Sequence, residues 1–421
     1  MKKLLLCGLA LFALTGCTLL EGTDDGPIDD TPKINRTGGV KNADDDYTIL
    51  VYMSGNDLES ESGLGTLDLK EMVTTRNQPK GVNIVIQTGG ASKWAKTYGI
   101  SSNSLSRYYV EGNSLKLDET LPDASMGESS TLQSFIEYGI NNYPAKKMSL
   151  IFWNHGGAMN GVCYDERHQD DALMNDECVE AFENAFKNTN FKGTFEWVGY
   201  DACLMAVQDL VVTNSLYFDY MIASEESEAG TGWDYNTWLD DLYMNKPTRE
   251  VCRAICDGFI KDNDGDAIGG NPENNQTLSY FDLDFAVDYY VAFEDFAEAW
   301  MEHLTSIKAT KTQIASLFKT VQTYAVDSSN SQLYYGVFDV YDFFIKLYQN
   351  TTLCPDVSYI LDCLDAFDML VEYCGWGIGS GNSYGMTLFY AISANTQQTT
   401  YYDEYETPFS NWIQFNRTYG Y

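Results

Sequence analysis

The feature that most constrains the fold is a set of short apolar runs separated by segments with helical spacing. The runs are Thr48–Met53, Val82–Gln87, Met148–Trp153, Phe195–Tyr200 and Tyr220–Ser224. Each is nearly continuous in apolar character rather than alternating, which marks strands buried on both faces. Between them, helices are predicted at Leu64–Thr74, Ser129–Asn142, Asn175 or Asp176 to Lys187, and Leu204–Leu216. In Ser129–Asn142 the spacing of Leu132, Phe135, Ile136 and Ile140 is helical, with Ser130 or Thr131 as cap. Leu105–Val110 reads as a hairpin or edge strand. This alternation predicts an α/β fold with a mostly parallel sheet covered on both faces. Ligands of such sheets sit at the carboxyl ends of the strands. From about residue 234 the pattern turns helical, with segments near 235–244, 248–261, 284–304, 306–325, 338–349 and 356–373. Two short strands interrupt it, Leu278–Phe281 and Tyr384–Ala391, and the second is a candidate to return to the main sheet. The expected division is a core over 47–245 and a mainly helical region over 246–421.

The first residues carry targeting information. Met1-Lys2-Lys3, an apolar run from Leu4 to Leu14 and small residues before Cys17 make a signal peptide over 1–16. The run is too short for a membrane span. Leu14-Thr15-Gly16-Cys17 reads as a bacterial lipobox, with Cys17 as the lipidated residue; an ordinary signal peptide or a buried apolar helix is the alternative. Residues 17–46, rich in Asp, Gly, Thr, Asn and Pro, form the expected flexible tether. The expected location is the bacterial envelope, at the periplasmic face or the cell surface, with the membrane reached through the lipid.

Charge narrows the partners. Asp and Glu number 61 against 26 Lys and Arg, a formal net charge of −35. That excludes nucleic acid as the main partner, because phosphate binding needs clustered cations. It favours basic substrates or divalent ions. With three His in the chain, a His-rich metal site is nearly excluded. The cysteines beyond Cys17 match no zinc spacing, and an oxidising compartment would permit disulfides whose pairing the sequence leaves open.

Two strand ends carry chemistry. The third apolar run leads into Asn154-His155-Gly156-Gly157, and the fourth into Asp201-Ala202-Cys203-Leu204. In a parallel sheet both tips lie on one edge, so His155 and Cys203, 48 residues apart, meet there. A cysteine at the start of a helix gains thiolate character from the helix dipole, and an imidazole beside it can exchange a proton. The amides of Gly156 and Cys203 are candidates for an oxyanion hole. A small buried Cys and a His-containing turn are the ordinary readings of either motif alone. Their joint position on neighbouring tips favours a dyad, and the caspase-type spacing of His before Cys is similar.

These residues resemble the clostripain family of cysteine peptidases, which share a caspase-like fold. Further agreement lies in Leu50–Met53 with Asn56-Asp57-Leu58-Glu59, in Gly161–Glu166, and in Ser224-Glu225-Glu226 through Gly232–Tyr235. The resemblance covers 47–245 well and implies a caspase-like three-layer sandwich with a largely helical C-terminal extension. It implies an endopeptidase that cleaves proteins or peptides after Arg or Lys, with Cys203 as nucleophile and His155 as its proton partner. It also implies that Asp201 helps form an acidic pocket for the basic side chain. A carboxylate there suits a cation, and a helix N-cap is the alternative role. Glu225, Glu226 and Asp234 lie near the next strand tip and are candidates to line the site or simply solvated acids. Self-processing in the loop after the His strand is a further implication, with Arg167 as the cut site or merely an exposed loop residue.

No cofactor is needed for this chemistry. Some relatives need calcium; here Asp262, Asp264, Asp266 and Glu273 fall at calcium-loop positions, but Ala267 and Pro272 break that pattern. A calcium site built from other clustered acids stays open. The rival reading is a non-catalytic surface lipoprotein that binds peptide or glycan on a peptidase-like scaffold.

Overall fold

The computed structural model describes residues 34–75, 78–262, 275–327, 332–333, 336–392 and 407–420. Its centre is a nine-stranded sheet. In chain order the strands are β1 (Asp45–Ser54), β2 (Val82–Gly89), β3 (Leu105–Glu111), β4 (Ser114–Leu121), β5 (Ala145–Trp153), β6 (Phe195–Asp201), β7 (Phe218–Ala223), β8 (Thr277–Asp282) and β9 (Val371–Trp376). Their order across the sheet is β9-β8-β7-β6-β5-β1-β2-β3-β4. The five central strands β2, β1, β5, β6 and β7 run parallel, and both edges are antiparallel.

The near-continuous apolar runs have the predicted consequence. Successive residues of β1 and β5 feed opposite cores: Leu50, Tyr52, Leu150 and Phe152 on one face, Ile49, Val51, Met53, Ile151 and Trp153 on the other. The first face is covered by α3 (Ser129–Asn142), α4 (Asn175–Thr189), α5 (Gln208–Asn214) and the long α8 (Ala286–Ser306). The second is covered by α2 (Leu64–Thr74), α6 (Tyr235–Tyr243) and α7 (Thr248–Asp262). A short α1 (Asn56–Ser62) follows β1 directly. The result is the expected three-layer sandwich.

The C-terminal part differs from expectation. Residues beyond 246 contribute β8 and β9 to the main sheet, so they complete the sandwich rather than extend it. Thr387–Phe389 does not return to that sheet but pairs antiparallel with Val337–Asp339. Val371–Trp376, whose first three residues fall in the expected helix over 356–373, is an edge strand; the helix stops at Leu370. Ser114–Leu121 is a strand that the sequence pattern did not mark.

Register sets up the site. Tyr52 pairs with Phe152, and Phe152 with Tyr200. Met53 likewise pairs with Trp153, and Trp153 with Asp201. The tips of β1, β5 and β6 therefore end level, at the edge where a doubly wound sheet holds its ligand.

Candidate active site

Asn154 ties the tips together. Its amide donates to the Ser54 carbonyl at 2.6 Å, and its side-chain oxygen accepts from the Tyr164 amide at 2.8 Å. Next to it, His155 Nε2 lies 2.7 Å from Asp57 Oδ1. Asp57 comes from the first turn of α1, directly after β1, and supplies the orienting group that was not visible in the sequence. With Nε2 engaged by a carboxylate, Nδ1 is the basic nitrogen. Asp57, His155, Gly156, Cys203 and Leu204 line one cleft of about 870 Å³.

Gly156 is required by space. A methyl group there would lie 2.2 Å from the Cys203 carbonyl oxygen. Its amide points at the Cys203 sulfur.

Cys203 departs from expectation in two ways. It is not at a helix N-terminus: it sits in a turn, and α5 begins only at Gln208. Its thiol is pushed up, not down, by burial and secondarily by the charge of Glu226; the amides of Glu228 and Gly156 oppose this. The helix dipole expected to favour the thiolate is too far along the chain, so backbone N–H groups do that work instead. The Glu228 amide donates to Sγ at 3.2 Å. Leu204 and Ala206 donate to the carbonyls of Glu226 and Ser224, at 3.2 and 2.9 Å. The loop after β7 is thus laced along the nucleophile's turn, and Leu204 takes a left-handed φ of 66° to allow it.

Behind Cys203 lies a buried cluster of acids, an acidic chamber packed with its own side chains. Asp201 is buried and accepts from the Tyr235 hydroxyl at 2.8 Å. Asp68, on α2, is buried and accepts from Trp153 Nε1 at 2.6 Å. Gly232 bounds both: a methyl group there would lie 3.0 Å from Asp68 Oδ2 and 3.2 Å from Asp201 Oδ1. Glu228 completes the group beside Asp201 and Trp233, and neither of its buried carboxyl oxygens makes a well-formed hydrogen bond. Burial pushes Asp201 up to about 7. It raises Asp68 and Glu228 well above the usual carboxylate range, and the charge of Asp201 raises both further. Asp201 does not cap a helix.

Residues 51–417 match the family model of peptidase C11, the clostripain family. The chain belongs to the clostripain family. It is a cysteine protease. Clostripain of Hathewaya histolytica is 22% identical over 423 residues, covering 87% of this chain and 78% of that one. A secreted C11 cysteine protease from Bacteroides thetaiotaomicron, solved with an irreversible peptide inhibitor, superposes with a TM-score of 0.65 at 15% identity, over 88% of this chain and 99% of that chain. An inactive zymogen C11 protease from Parabacteroides distasonis gives 0.61 at 14% identity, over 85% and 94%. At these identities the structures establish the caspase-like fold.

Within this clostripain-family frame, three candidate site residues have other partners. Glu225 is fully buried and turned away from the cleft, where it accepts from the Tyr324 hydroxyl at 3.0 Å. Asp234 caps α6, accepting from the amides of Asn236 and Thr237 at 3.2 and 3.4 Å. Glu226 accepts from the Ala325 amide at 3.0 Å. Sequence reasoning missed Asp57, Asp68 and Glu228; the Asn56-Asp57 pair at a strand tip was the one signal in hand.

Arg167 lies on a short 3-10 turn, Glu166–His168, with its guanidinium 2.8 Å from Asp123 Oδ2 and its amide donating to Asp165. The eight cysteines from Cys163 to Cys374 are all unpaired. No cluster of His, Cys, Asp and Glu suited to a metal occurs among the described residues. Cys17 and the loop acids Asp264, Asp266 and Glu273 lie outside the described residues, as does the side chain of Asp262.

Proposed function

We propose that this cysteine protease is an endopeptidase that cleaves after Arg or Lys. The observation that carries the proposal is the chamber beside Cys203: Asp68, Asp201 and Glu228 are buried together, and no basic side chain of the described residues is ion-paired with them. Buried carboxyls without a counter-charge are costly. A guanidinium or ammonium from the substrate supplies the missing charge and can be held bidentately if it is Arg.

In the reaction, Cys203 passes its proton to His155 Nδ1, and the sulfur attacks the carbonyl carbon on the acyl side of the scissile bond. Asp57 holds the imidazolium at Nε2. The amides of Gly156 and Cys203 receive the oxyanion. His155 then gives the proton to the departing amine, and water releases the acyl group from sulfur. Profiling a mixed peptide library tests this. Wild type should cut after Arg and Lys, and Cys203→Ala should lose at least about 10³-fold in kcat with an unchanged circular dichroism spectrum. Full activity in that variant would refute the assignment.

Two parts of the proposal concern processing and location. A cut after Arg167 would activate the enzyme; it first requires the Arg167–Asp123 pair to open. Purified protein should show a new N-terminus at His168 in wild type and none in Arg167→Gln. A lipid on Cys17 would tether the enzyme to the bacterial envelope. Cys17→Ser should shift it from the membrane fraction to the soluble fraction.

A further inference from the structure

The acidic chamber is not an empty pocket waiting behind the nucleophile. Glu228 spans both. Its backbone N–H donates to Cys203 Sγ at 3.2 Å, and its carbonyl oxygen lies 3.9 Å from the same sulfur, in line for a weak thiol hydrogen bond. Its side chain runs back into the chamber, against Asp201 and Trp233. The backbone of this residue therefore satisfies the thiol, while its carboxyl fills the space assigned above to a basic side chain.

The carboxyl is poorly served where it is. Neither buried oxygen makes a well-formed hydrogen bond; the indole N–H of the fully buried Trp233 lies against the carboxyl without good geometry and has no other partner. By contrast, Asp201 and Asp68 each have a donor within 2.8 Å. The groups that face the Glu228 carboxyl are acids or neutral: Asp201 from the β6 tip, the Cys203 thiol and the Trp233 indole. Burial, and after it the charge of Asp201, raises this carboxyl well above the usual range. A buried polar group without partners is held by its surroundings and is ready to exchange them for better ones.

We infer that Glu228 is a specificity-determining residue that couples the chamber to the nucleophile: a basic side chain entering the chamber takes the Glu228 carboxyl as its partner and draws the Glu228 backbone off the Cys203 sulfur. This rests on the chamber being the site for the basic side chain. As the carboxyl pairs with the incoming cation it releases its proton to solvent. The sulfur gives up the Glu228 N–H that favoured its thiolate and turns to His155 Nδ1, which takes its proton in exchange. The enzyme is then least reactive when the chamber is empty, and a correct substrate makes its own nucleophile available. An uncharged side chain of equal size gains nothing from Glu228 and leaves the sulfur held.

The test uses methylguanidinium, which carries the cation of Arg but no scissile bond, and iodoacetamide, a small neutral alkylating agent. In wild type, saturating methylguanidinium should speed alkylation of Cys203 by about threefold or more, while inhibiting peptide cleavage competitively. In Glu228→Gln and Glu228→Ala, alkylation without methylguanidinium should already be fast, and the acceleration should vanish. Thermal melts establish that the variants are folded, and the wild-type measurement needs no variant at all. If methylguanidinium inhibits cleavage competitively but leaves alkylation unchanged or slower, the coupling is wrong and the chamber assignment survives. If it neither inhibits cleavage nor changes alkylation, the chamber assignment itself fails, and the coupling fails with it.

Discussion

Glu225 and Glu228 leave the same loop three residues apart, and each buries its carboxyl beside another acid. Glu225 lies against Asp339 and is not among the residues that line the cleft. There the Tyr324 hydroxyl bridges Glu225, Asp339 and Ser383 at 3.0, 3.2 and 2.8 Å. Asp339 also accepts from the amides of Tyr384 and Asp342, both at 2.7 Å. Every oxygen in that pair has work within the fold. Glu228 lies against Asp201 beside Cys203, and its oxygens make no well-formed hydrogen bond, with only Asp201 and the Trp233 indole near them. Both sites raise their carboxyls by burial. What separates them is satisfaction. A closed network holds the structure together, whereas an open one holds a place for a ligand.

Amide substitutions probe that difference, because an amide mimics a protonated acid in shape but never ionises. Asp201→Asn should cost about 100-fold or more in kcat/KM on Arg and Lys peptides, with little change in thermal stability. An unaltered kcat/KM would place the cation elsewhere. Glu225→Gln should keep both activity and stability, since its amide donates to Asp339 and accepts from Tyr324. Glu225→Ala should lose on the order of 2 kcal/mol, read as a drop of several degrees in the melting temperature, because it strands the Tyr324 hydroxyl. If the Gln variant melts as low as the Ala variant, Glu225 is charged in the fold and the contrast collapses. Asp57 is a smaller case. It is half exposed, so solvent screens its pairing with His155, and Asp57→Asn should lower kcat on the order of 10-fold with KM nearly unchanged.

The same contrast explains what the sequence could show. His155 and Cys203 were legible because each follows an apolar run, and strand direction alone places both tips on one edge. The nine-stranded sheet was legible only at its centre. Ser114–Leu121 is an exposed, polar edge strand whose alternation is weak, and Val371–Trp376 follows a helix without a break in composition. At the site, the sequence offers Glu225 and Glu226 from Ser224–Glu228 as candidates, and the one beside Asp201 is Glu228. Nothing in that stretch sets which carboxyl faces which way. The choice is made by hydrogen bonds to distant residues: Thr277 Oγ1 takes the Glu225 amide at 3.0 Å, and the Cys203 sulfur takes that of Glu228. Asp68 and Asp57 were hidden for the same reason, since each reaches the site from a helix that the sheet register carries there. The helix expected at Leu204 starts later because the amides of Leu204 and Ala206 are spent on pairing with the loop after β7.

The smallest expected effect is the one on stability against pH, and its sign follows from the chamber. Asp201 has an ordinary carboxylate value of 3.8 and is raised to about 7 in the fold, chiefly by burial. The folded chain therefore holds this proton more tightly than the unfolded chain does. On this account stability is highest below the unfolded value and falls as pH rises from there through about 7, where the full penalty is reached. Asp201→Asn removes the titration. Because Asp68 and Glu228 remain, the recovered stability should be only on the order of 1 kcal/mol. The wild-type melting temperature should drop more between pH 5 and pH 8 than that of Asp201→Asn, by a few degrees. Saturating methylguanidinium at pH 8 should restore much of the wild-type loss, since its charge compensates the ionised chamber. Equal pH dependence in the two proteins would mean that Asp201 already carries its charge at pH 5, and the chamber would then need a counter-ion from within the protein.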